Sequence, residues 1–554
     1  FISDYQSQAG RPETRWHDLT VSHTAFRDLM DGHSSDFSAF LSDLKQWAGT
    51  SGKKIKVVDK KQQIFEFPEF LELDDNDINP IELYAYYLGL YINTPRNGIF
   101  MDYILSFPVT YELAIRDKII QSFERGIKKS LPQSLHQQPE QMAKLRVSKG
   151  ASEPAAYAVI ALHEYDFEPE EDERIFYGVF DFGGGTTDFD FGLYREACEN
   201  TESRYDYAIE HFGAGGDRYL GGENLLALLA FEIFKNNQEK LRTAQIQFTQ
   251  PPETPLFLGS EALLSPSREA KMNSKNLMEA LRGFWEQDPE KADTYQNGSL
   301  EINLFNAQGN EQASFELDID AEQMKKTLYE RIERGVVNFF GNLRLAFSNQ
   351  AFDLKEIDCV QLFLAGNSSK SPWVSELFEQ EMARVIEEMQ QENLKADDFF
   401  KLHPSLSSDE LDRPTGKTGV AYGLIETRPG GDVLVIDHNV KEEIAFKYYL
   451  GRSRKKKFKL IVDRHSPYHQ WIQFIDASQT DFEIYYSSVS AVSTNKIPIG
   501  DNSIQRLRLS IEQAHSSAHV YLRPISPSEI EDVVAEQCGI ESQAYLSDIQ
   551  TVAI

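Results

Sequence analysis

The order of apolar and polar residues changes along the chain in a way that divides it into regions. Residues 1–100 show no clear repeat, and from Tyr103 short apolar runs alternate with segments whose apolar residues recur at helical spacing. The run 103–107 predicts a buried strand that ends at Pro108, because proline lacks the N–H that a central strand needs. Beyond residue 441 the apolar period becomes two, in short segments separated by Ser, Asn, Asp and Gly. The pattern therefore predicts an α/β region followed by an all-β unit, which we expect to be a sandwich.

Predicted helices and strands alternate through the middle of the chain. The longest segments with helical spacing are 113–128, 153–162, 225–234, 266–282 and 322–347, and the clearest buried strands are 175–180, 189–194 and 360–364. We expect the helix over 266–282 to begin with Ser265 as its N-cap and Pro266 at its first position. Residues 224–340 then form a mostly helical insert, and Arg428-Pro429-Gly430-Gly431 marks a linker.

Composition narrows the range of partners and compartments. The 554 residues include 56 Lys and Arg against 87 Asp and Glu, and a net charge of −31 argues against binding to nucleic acid or an anionic membrane. Cys198, Cys359 and Cys538 lie far apart, which argues against a disulfide framework or a zinc site and favours a reducing, cytoplasmic location. No apolar run approaches the roughly 18 residues of a membrane span. The chain begins with Phe1 rather than Met, and we expect it to be a piece of a longer protein.

A glycine-rich turn carries the clearest chemical signal. Residues 181–188 read Asp-Phe-Gly-Gly-Gly-Thr-Thr-Asp between two predicted strands. Consecutive glycines let backbone N–H groups approach an anion without a Cβ in the way; here they are Gly183, Gly184 and Gly185. Thr186 and Thr187 can donate to phosphate oxygens, and Asp181 could hold a magnesium ion through its waters. The alternative is a glycine-rich hairpin turn with no ligand.

Five further stretches make this turn more specific. They are 107–111 (FPVTY), 152–156 (SEPAA), 215–224 (GGDRYLGGEN), 363–372 (FLAGNSSKSP) and 419–424 (GVAYGL). Together with 181–188, and in the same order, they resemble the motifs of the heat-shock 70-kilodalton (DnaK-type) chaperone family of the actin-like ATPase superfamily. The resemblance covers residues from about 100 to 427. It implies an α/β fold with a two-lobed, actin-like (ribonuclease H-like) ATPase domain.

The family's organisation can be placed on this chain. The resemblance implies a nucleotide-binding domain over 1–427, in which a final helix returns toward the first lobe, and then a β-rich domain for a substrate or partner. This chain departs from the family in one respect: only about 30 residues follow the last predicted strand, so we expect no long helical lid. The parts are lobe I at about 1–165, lobe II at about 175–400, the final helix at 415–427, the linker at 428–440 and the β-rich domain at 441–554. Residues 432–437 either resemble the apolar linker that couples the family's two domains or form a strand of the β unit.

On the phosphate side, the resemblance implies catalytic and signalling roles. Asp181 would position the magnesium ion, Thr186 would contact the γ-phosphate and Glu153 would help to orient the attacking water. Pro108, Arg116 and Glu153 would form the relay that reports the nucleotide state to the rest of the protein.

On the nucleotide side, glycines would let the backbone approach the ligand, and Lys370 would lie against the adenine where the family uses arginine. Lys271 resembles a lysine of a family helix, and the next residue, Met272, replaces the arginine that would cover the adenine. We therefore expect either weaker adenine binding or a looser choice of base. The implied nucleotide-binding residues are Gly183, Gly184, Gly185, Thr186, Thr187, Gly221, Gly222, Glu223, Glu269, Lys271, Gly366, Asn367, Ser368 and Lys370.

The N-terminal part of the family pattern is incomplete. Residues 41–49 resemble a family segment whose lysine touches the transferring phosphate, which would make Lys45 catalytic; the alternative is a solvated helix lysine. The family's first phosphate loop has no counterpart among the 44 residues before Lys45. Either that loop has been left out of this chain, which we prefer, or the protein functions without it. Phosphoryl transfer depends on positioning and charge stabilisation, so hydrolysis requires these contacts.

The implied function is that of a chaperone that binds and hydrolyses ATP with magnesium. Nucleotide state would control binding of an unfolded polypeptide or a dedicated protein partner, and a J-domain-type co-chaperone is a further implied partner. Two alternatives remain open. One is a nucleotide-gated adaptor or scaffold with little or no ATPase activity, and the other is a filament-forming actin-like protein.

A dense basic cluster lies in the β unit, at residues 452–457. Five of these six residues are Lys or Arg. The cluster could dock an acidic partner or a phosphate group; the alternative is a solvated β-hairpin loop.

Overall fold

The structure of the protein is a computed structural model, and its fold class is mixed α/β with several sheets, as the apolar pattern predicts. No described helix has both the length and the apolar content to cross a membrane. The described residues are 7–8, 11–12, 44–49, 54–58, 64–74, 79–93, 98–108, 111, 113–198, 200–217, 219–251, 254, 256–349, 357–391, 398–408, 410, 412–438, 446–463, 466, 468–487, 492, 497–501, 504–526, 529–542 and 544–554.

The N-terminal region combines short two-stranded pairs with helices. β5 and β6 are parallel and are connected through α3, while Trp47 of α1 is fully buried with its ring centroid 5.4 Å from that of Phe70. The elements are β1 (Ser7–Gln8), β2 (Arg11–Pro12), α1 (Leu44–Ala48), β3 (Ile55–Val58), β4 (Ile64–Phe67), α2 (Pro80–Ile92), β5 (Asp102–Leu105), α3 (Leu113–Ser130), α4 (Gln133–His136), α5 (Pro139–Met142) and β6 (Arg146–Lys149).

The middle of the chain is built on a six-stranded sheet. Its elements are α6 (Glu153–Glu164), β7 (Ile175–Phe182), β8 (Thr187–Glu196), β9 (Tyr207–Asp217), α7 (Gly222–Asn236), α8 (Gln238–Thr243), α9 (Arg268–Trp285), α10 (Ala292–Gln296), β10 (Ser299–Phe305), β11 (Glu311–Asp318), α11 (Ala321–Asn349), β12 (Val360–Ala365), α12 (Pro372–Gln391), β13 (Phe400–His403), α13 (Gly419–Glu426) and β14 (Val433–Asp437).

The strand order of this sheet explains where its loops meet. The order is β13-β12-β7-β8-β9-β14, with β7, β8 and β9 antiparallel and with β12 parallel to β7. Asp181 at the end of β7 lies opposite Ala365 at the end of β12. The turns that follow these two strands therefore leave the sheet at the same edge, where α/β proteins commonly bind ligands.

The helical prediction for residues 224–340 is wrong in one part. β10 and β11 form an antiparallel hairpin inside this segment, with Leu300, Leu304 and Leu317 buried against the neighbouring helices. Apolar and polar residues alternate through β10, with Leu300, Ile302 and Leu304 as the apolar positions, so a period of two was present in the sequence and the helical prediction overlooked it.

The start of α9 also differs from the prediction. The helix begins at Arg268 and not at Pro266, and Ser267 is its N-cap, accepting a hydrogen bond from the Ala270 N–H at 3.2 Å. The side chain of Ser265 instead accepts a hydrogen bond from the Ser267 N–H at 3.1 Å. Both serines can cap a helix, so local sequence does not decide between them.

β14 lies within the segment that the sequence assigns to a linker. It pairs with β9 in parallel, Val433 opposite Tyr207 and Asp437 opposite His211, as the edge strand of the central sheet. The alternative prediction, a strand of the C-terminal β unit, is therefore wrong. The linker segment is part of the sheet that carries the glycine turn.

The C-terminal region contains two four-stranded sheets, β16-β15-β18-β19 and β17-β20-β21-β22, with antiparallel pairing. Both sheets contribute to one hydrophobic cluster, in which Leu450, Ile484, Leu522 and Ile530 are fully buried. The elements are β15 (Tyr449–Arg454), β16 (Lys457–Val462), β17 (Ile472–Asp476), β18 (Asp481–Ser487), β19 (Gln505–Ser510), β20 (His519–Ser526), β21 (Glu529–Ala535), α14 (Gln537–Glu541) and β22 (Gln550–Ala553).

Candidate functional site

The glycine turn connects β7 to β8 as a closed turn. The Gly183 N–H donates to the Thr186 carbonyl at 3.0 Å. The Thr187 hydroxyl is buried and donates to the Leu220 carbonyl at 2.7 Å, so it holds the turn rather than facing a ligand. Thr186 is half-buried and its hydroxyl donates to Asp188 at 3.2 Å. Of the two predicted phosphate-binding threonines, Thr186 is thus the accessible one.

Two other turns meet the glycine turn. At the start of α7, the Gly222 N–H donates to the Gly183 carbonyl at 3.1 Å and the Glu223 N–H donates to the Gly184 carbonyl at 2.8 Å. After β12, the Ser368 hydroxyl donates to the Gly183 carbonyl at 3.0 Å. Three stretches that are distant in sequence, each singled out by its motif, therefore share one hydrogen-bonded cluster.

Two glycines of this cluster are required by close backbone approach. Gly366 has a φ of +77°, and a Cβ there would lie 2.3 Å from the Phe182 carbonyl oxygen. A Cβ on Gly221 would lie 2.4 Å from the Gly185 carbonyl carbon. Gly184 differs, because a Cβ there would meet nothing within 4 Å. The exposed backbone at Gly184 is the part of the turn that a ligand can approach.

Asp181 provides the carboxylate at this edge of the sheet. Its side chain is half-buried at the end of β7, and a Cβ on Gly366 would lie 2.7 Å from its Oδ1, so the adjacent turn passes directly over it. Among the described residues, no group of three or more His, Cys, Asp or Glu side chains is arranged to hold a metal ion. Magnesium commonly uses one or two carboxylates together with waters and phosphate oxygens, and a single Asp181 fits that donor set.

The turn after β12 also contains buried hydroxyls. Ser369 is 2% exposed, and its Oγ has no hydrogen-bond partner among the described residues; the same is true of the Ser371 Oγ. Asn367 and Lys370 in the same turn are exposed. Buried hydroxyls without partners are uncommon in folded proteins, and hydrogen-bonding groups of a ligand would satisfy them.

An ion-pair network next to the site was not apparent from the sequence. Arg282 of α9 pairs with Glu223 at 2.8 Å and with Glu279 at 2.8 Å. The hydrogen bond to Glu279 raises the pKa of Arg282, and the hydrogen bond to Glu223 adds to this effect. Burial alone would lower that pKa. This network fixes the C-terminal half of α9 beside the first turn of α7, and no local signal links residues that lie 59 positions apart.

Two predicted nucleotide-binding residues lie at the opposite end of α9 from Arg282. Glu269 and Lys271 lie in the first turns of α9, and Lys271 is exposed. Lys271 precedes Arg282 by 11 positions (282 − 271). A rise of about 1.5 Å per residue places it about 16 Å away along the helix axis. Arg282, and neither Glu269 nor Lys271, is the α9 residue that the structure brings to Glu223.

Two of the three residues predicted to form the relay lie close together. The Glu153 N–H, at the first position of α6, donates to the Phe107 carbonyl at 3.3 Å, which places Glu153 beside Pro108. Arg116 is 5% exposed in α3. For Lys45 the structure describes the backbone, within α1, and the side chain lies outside the described residues.

Helix α6, which begins at Glu153, is hydrogen-bonded to the central sheet through one buried tyrosine. Its Tyr157 is fully buried; the hydroxyl donates to the Leu364 carbonyl at 3.0 Å and accepts from the Leu406 N–H at 3.0 Å. Burial raises the pKa of Tyr157, so it stays protonated and can keep both bonds. A Cβ on Gly423 of α13 would lie 1.8 Å from the Ala156 carbonyl oxygen, so α13 and α6 are in backbone contact.

Comparison with known proteins gives no further assignment: no model of a known protein family matches this chain, and no curated protein matches it. The functional interpretation therefore depends on the order of the motifs and on the geometry of the cluster that they form.

Proposed function

We propose that this chain is a DnaK-like molecular chaperone, with a two-lobed actin-like ATPase domain and a C-terminal β sandwich that binds a polypeptide or a dedicated partner. The observation that carries the proposal is the convergence of the turns at 183–186, 221–223 and 366–370 on one edge of the central sheet. A hairpin turn between β7 and β8 does not require the other two glycine turns to bond to it. Three such turns joined by hydrogen bonds suit a ligand that carries phosphate groups.

The residues in place can each take a defined part in phosphate binding. The backbone at Gly184 is open, the Thr186 hydroxyl is accessible and the buried Ser369 hydroxyl has no described hydrogen-bond partner. When bound, a magnesium ion would neutralise phosphate charge next to Asp181. Glu153 would orient the water. Its backbone contact with Phe107, two residues after β5, gives a physical route from the nucleotide to Pro108.

The pairing of β14 with β9 supports coupling between the nucleotide site and the β domain. The end of β14 is held by side chains, since the His438 Nε2 lies 3.0 Å from Glu210, which also binds Arg195 at 2.7 Å. A nucleotide-dependent movement of β9 would change this pairing and so reach the β domain. An unfolded polypeptide and a J-domain-type co-chaperone are the partners that this proposal entails.

Single-turnover hydrolysis of ATP tests the proposal. Asp181→Asn removes the carboxylate at the sheet edge and is expected to abolish turnover, while Asp172→Asn, an exposed residue of the preceding loop, is the matched control and is expected to leave it unchanged. Equal turnover in both variants would contradict the assignment of Asp181.

One observation favours the adaptor alternative: the Thr187 hydroxyl donates to the Leu220 carbonyl, so it is not available to phosphate oxygens. An adaptor would bind ATP without hydrolysing it, so equilibrium binding is measured alongside turnover. Binding without turnover would support the adaptor. Growth of light scattering on ATP addition would instead support a filament-forming protein.

A further inference from the structure

The β15–β16 hairpin presents a concentrated positive charge on an acidic protein. Six of the eight residues in 452–459 are Lys or Arg, whereas the whole chain has a net charge of −31. The residues of this set, here called the basic hairpin tip, are Arg452, Arg454, Lys455, Lys456, Lys457 and Lys459. A local reversal of charge on this scale needs a physical explanation.

The strand register places like charges directly opposite each other. Arg452 lies opposite Lys459 and Arg454 lies opposite Lys457, on the face away from the Ser453 and Phe458 pair. Directly opposed like charges destabilise an antiparallel pair, and here two such pairs follow each other. These two pairs of opposed cations therefore destabilise the hairpin that carries them.

The turn between the strands adds a second unfavourable feature. Lys455 and Lys456 have φ values of 53° and 62°, the left-handed conformation that a two-residue hairpin turn requires. Asn and Gly adopt this conformation at much lower cost than lysine. Two lysines at these positions add positive charge to the turn and make the turn less stable than Asn and Gly would.

The basic hairpin tip has no anionic partner within the described part of the chain. None of its six cations forms an ion pair or side-chain hydrogen bond with a described residue. The contrast with β19 of the same sheet is clear, because Arg506 and Arg508 lie 3.5 Å from Glu483 and Asp481. Unpaired cations are thus a property of the tip and not of the sheet.

The tip is also held in place from one side. The Ile499 N–H donates to the Lys456 carbonyl at 3.0 Å, and the Phe458 N–H donates to the Ile497 carbonyl at 2.9 Å. Phe458 is fully buried beneath the strand. A cation array on an anchored hairpin is preorganised, so a partner does not have to order it on binding.

We infer that the basic hairpin tip is a docking surface for an extended acidic segment of another polypeptide. Alternate residues of a strand are about 7 Å apart, so the spacing of Arg452 and Arg454 matches carboxylates at alternate positions of an extended peptide. The chain's charge of −31 opposes the approach of a long polyanion, which disfavours nucleic acid. Because the tip's backbone groups noted above are engaged by residues 497–499, recognition depends on side-chain charge. The surface belongs to a different sheet from the glycine turn, and the inference is independent of the proposed ATPase function.

The probe for this surface is a fluorescein-labelled peptide of about twelve residues in which Glu and Ser alternate, matched to the strand spacing. Binding is followed by fluorescence anisotropy with the full chain at low salt, since charge contacts on a surface are screened at high ionic strength. Arg454→Gln/Lys457→Gln removes one opposed pair, and Arg506→Gln/Arg508→Gln removes the same charge from the same sheet as the control.

We expect the hairpin variant to weaken binding about tenfold and the control to change it less than about twofold. The hairpin variant is also expected to unfold at a temperature equal to or higher than the wild type, because it relieves a like-charge contact, and this separates lost binding from lost folding. Equal weakening in both variants, equal binding of a peptide with Gln in place of Glu, or tighter binding of a single-stranded oligonucleotide of equal charge would each overturn the inference.

Discussion

Asp532 is a buried carboxylate whose replacement should stabilise the β domain at neutral pH. It lies in β21 directly opposite Leu522, a residue of the core that both sheets share, and it is 2% exposed. Its Oδ1 has no hydrogen-bond partner among the described residues. Burial raises the pKa of Asp532 from 3.8 to about 6, because the charged form is disfavoured away from water.

The magnitude follows from this difference in pKa. The folded state keeps the Asp532 proton up to a pH of about 6, whereas the unfolded state loses it near 3.8, so the free energy of unfolding falls as pH rises through this window and stays low above it. The difference corresponds to at most about 3 kcal/mol at neutral pH. In Asp532→Asn the buried amide is itself incompletely hydrogen-bonded, which reduces the expected gain to about 1–2 kcal/mol.

The assay is denaturant unfolding of the wild type and Asp532→Asn between about pH 4.5 and 7.5, with hydrogen exchange of β20 to β22 reporting on this domain. Asp548→Asn, at an exposed carboxylate near β22, is the control. We expect the advantage of Asp532→Asn to grow as pH rises from about 4.5 to about 6, to level off above about pH 6, and to be smallest at the acidic end. An advantage that does not vary with pH, or the same pH dependence in the control, would refute the reasoning.

Three further substitutions test the packing around the candidate site. Gly423→Ala is expected to destabilise the fold by about 1–3 kcal/mol, because its Cβ would lie 1.8 Å from the Ala156 carbonyl oxygen, and thermal unfolding measures this; an unchanged melting temperature would contradict the close approach of the helices. Gly184→Ala meets no atom within 4 Å and is expected to leave unfolding unchanged while lowering affinity for ATP, and unchanged affinity would argue against phosphate binding there. Tyr157→Phe leaves a buried carbonyl and a buried N–H without partners and is expected to cost about 1–3 kcal/mol in chemical denaturation. Tyr165→Phe, whose hydroxyl makes one partly exposed bond, should cost less.

The parts of the site that could be predicted from sequence are those whose signals are local. The strand 175–180 and the turn at 183–185 are recognisable because a continuous apolar run ends at consecutive glycines, and the structure extends that strand only to Phe182. The meeting of this turn with Gly366 depends on the parallel pairing of β12 with β7, which brings the ends of both strands to one edge and which only the structure shows.

The parts that could not be predicted depend on contacts between distant residues. Nothing near Arg282 in the sequence indicates that it pairs with Glu223, because the pair forms only when α9 packs across α7. Lys271 lies in the first turns of the same helix, and its predicted role in nucleotide binding stays a prediction. In the same way, Val433–Asp437 has the composition of a linker or of any buried strand, and only the open edge of β9 decides its place.

The position of β14 gives the proposed coupling a physical basis in the sheet itself. Beneath the β9–β14 pairing, Tyr177 and His211 share the Asp190 carboxylate, each at 2.8 Å, and all three side chains are buried. Burial lowers the pKa of His211, but the charge of Asp190, with a smaller contribution from Asp437 of β14, raises it overall. Removing β14 would withdraw the Asp437 charge and uncover the edge beside this cluster. β7 and β8 contribute to this cluster and, at their ends, to the glycine turn. If a ligand at the turn changes the stability of the docked β14, then docking of β14 changes the affinity for that ligand by the same factor.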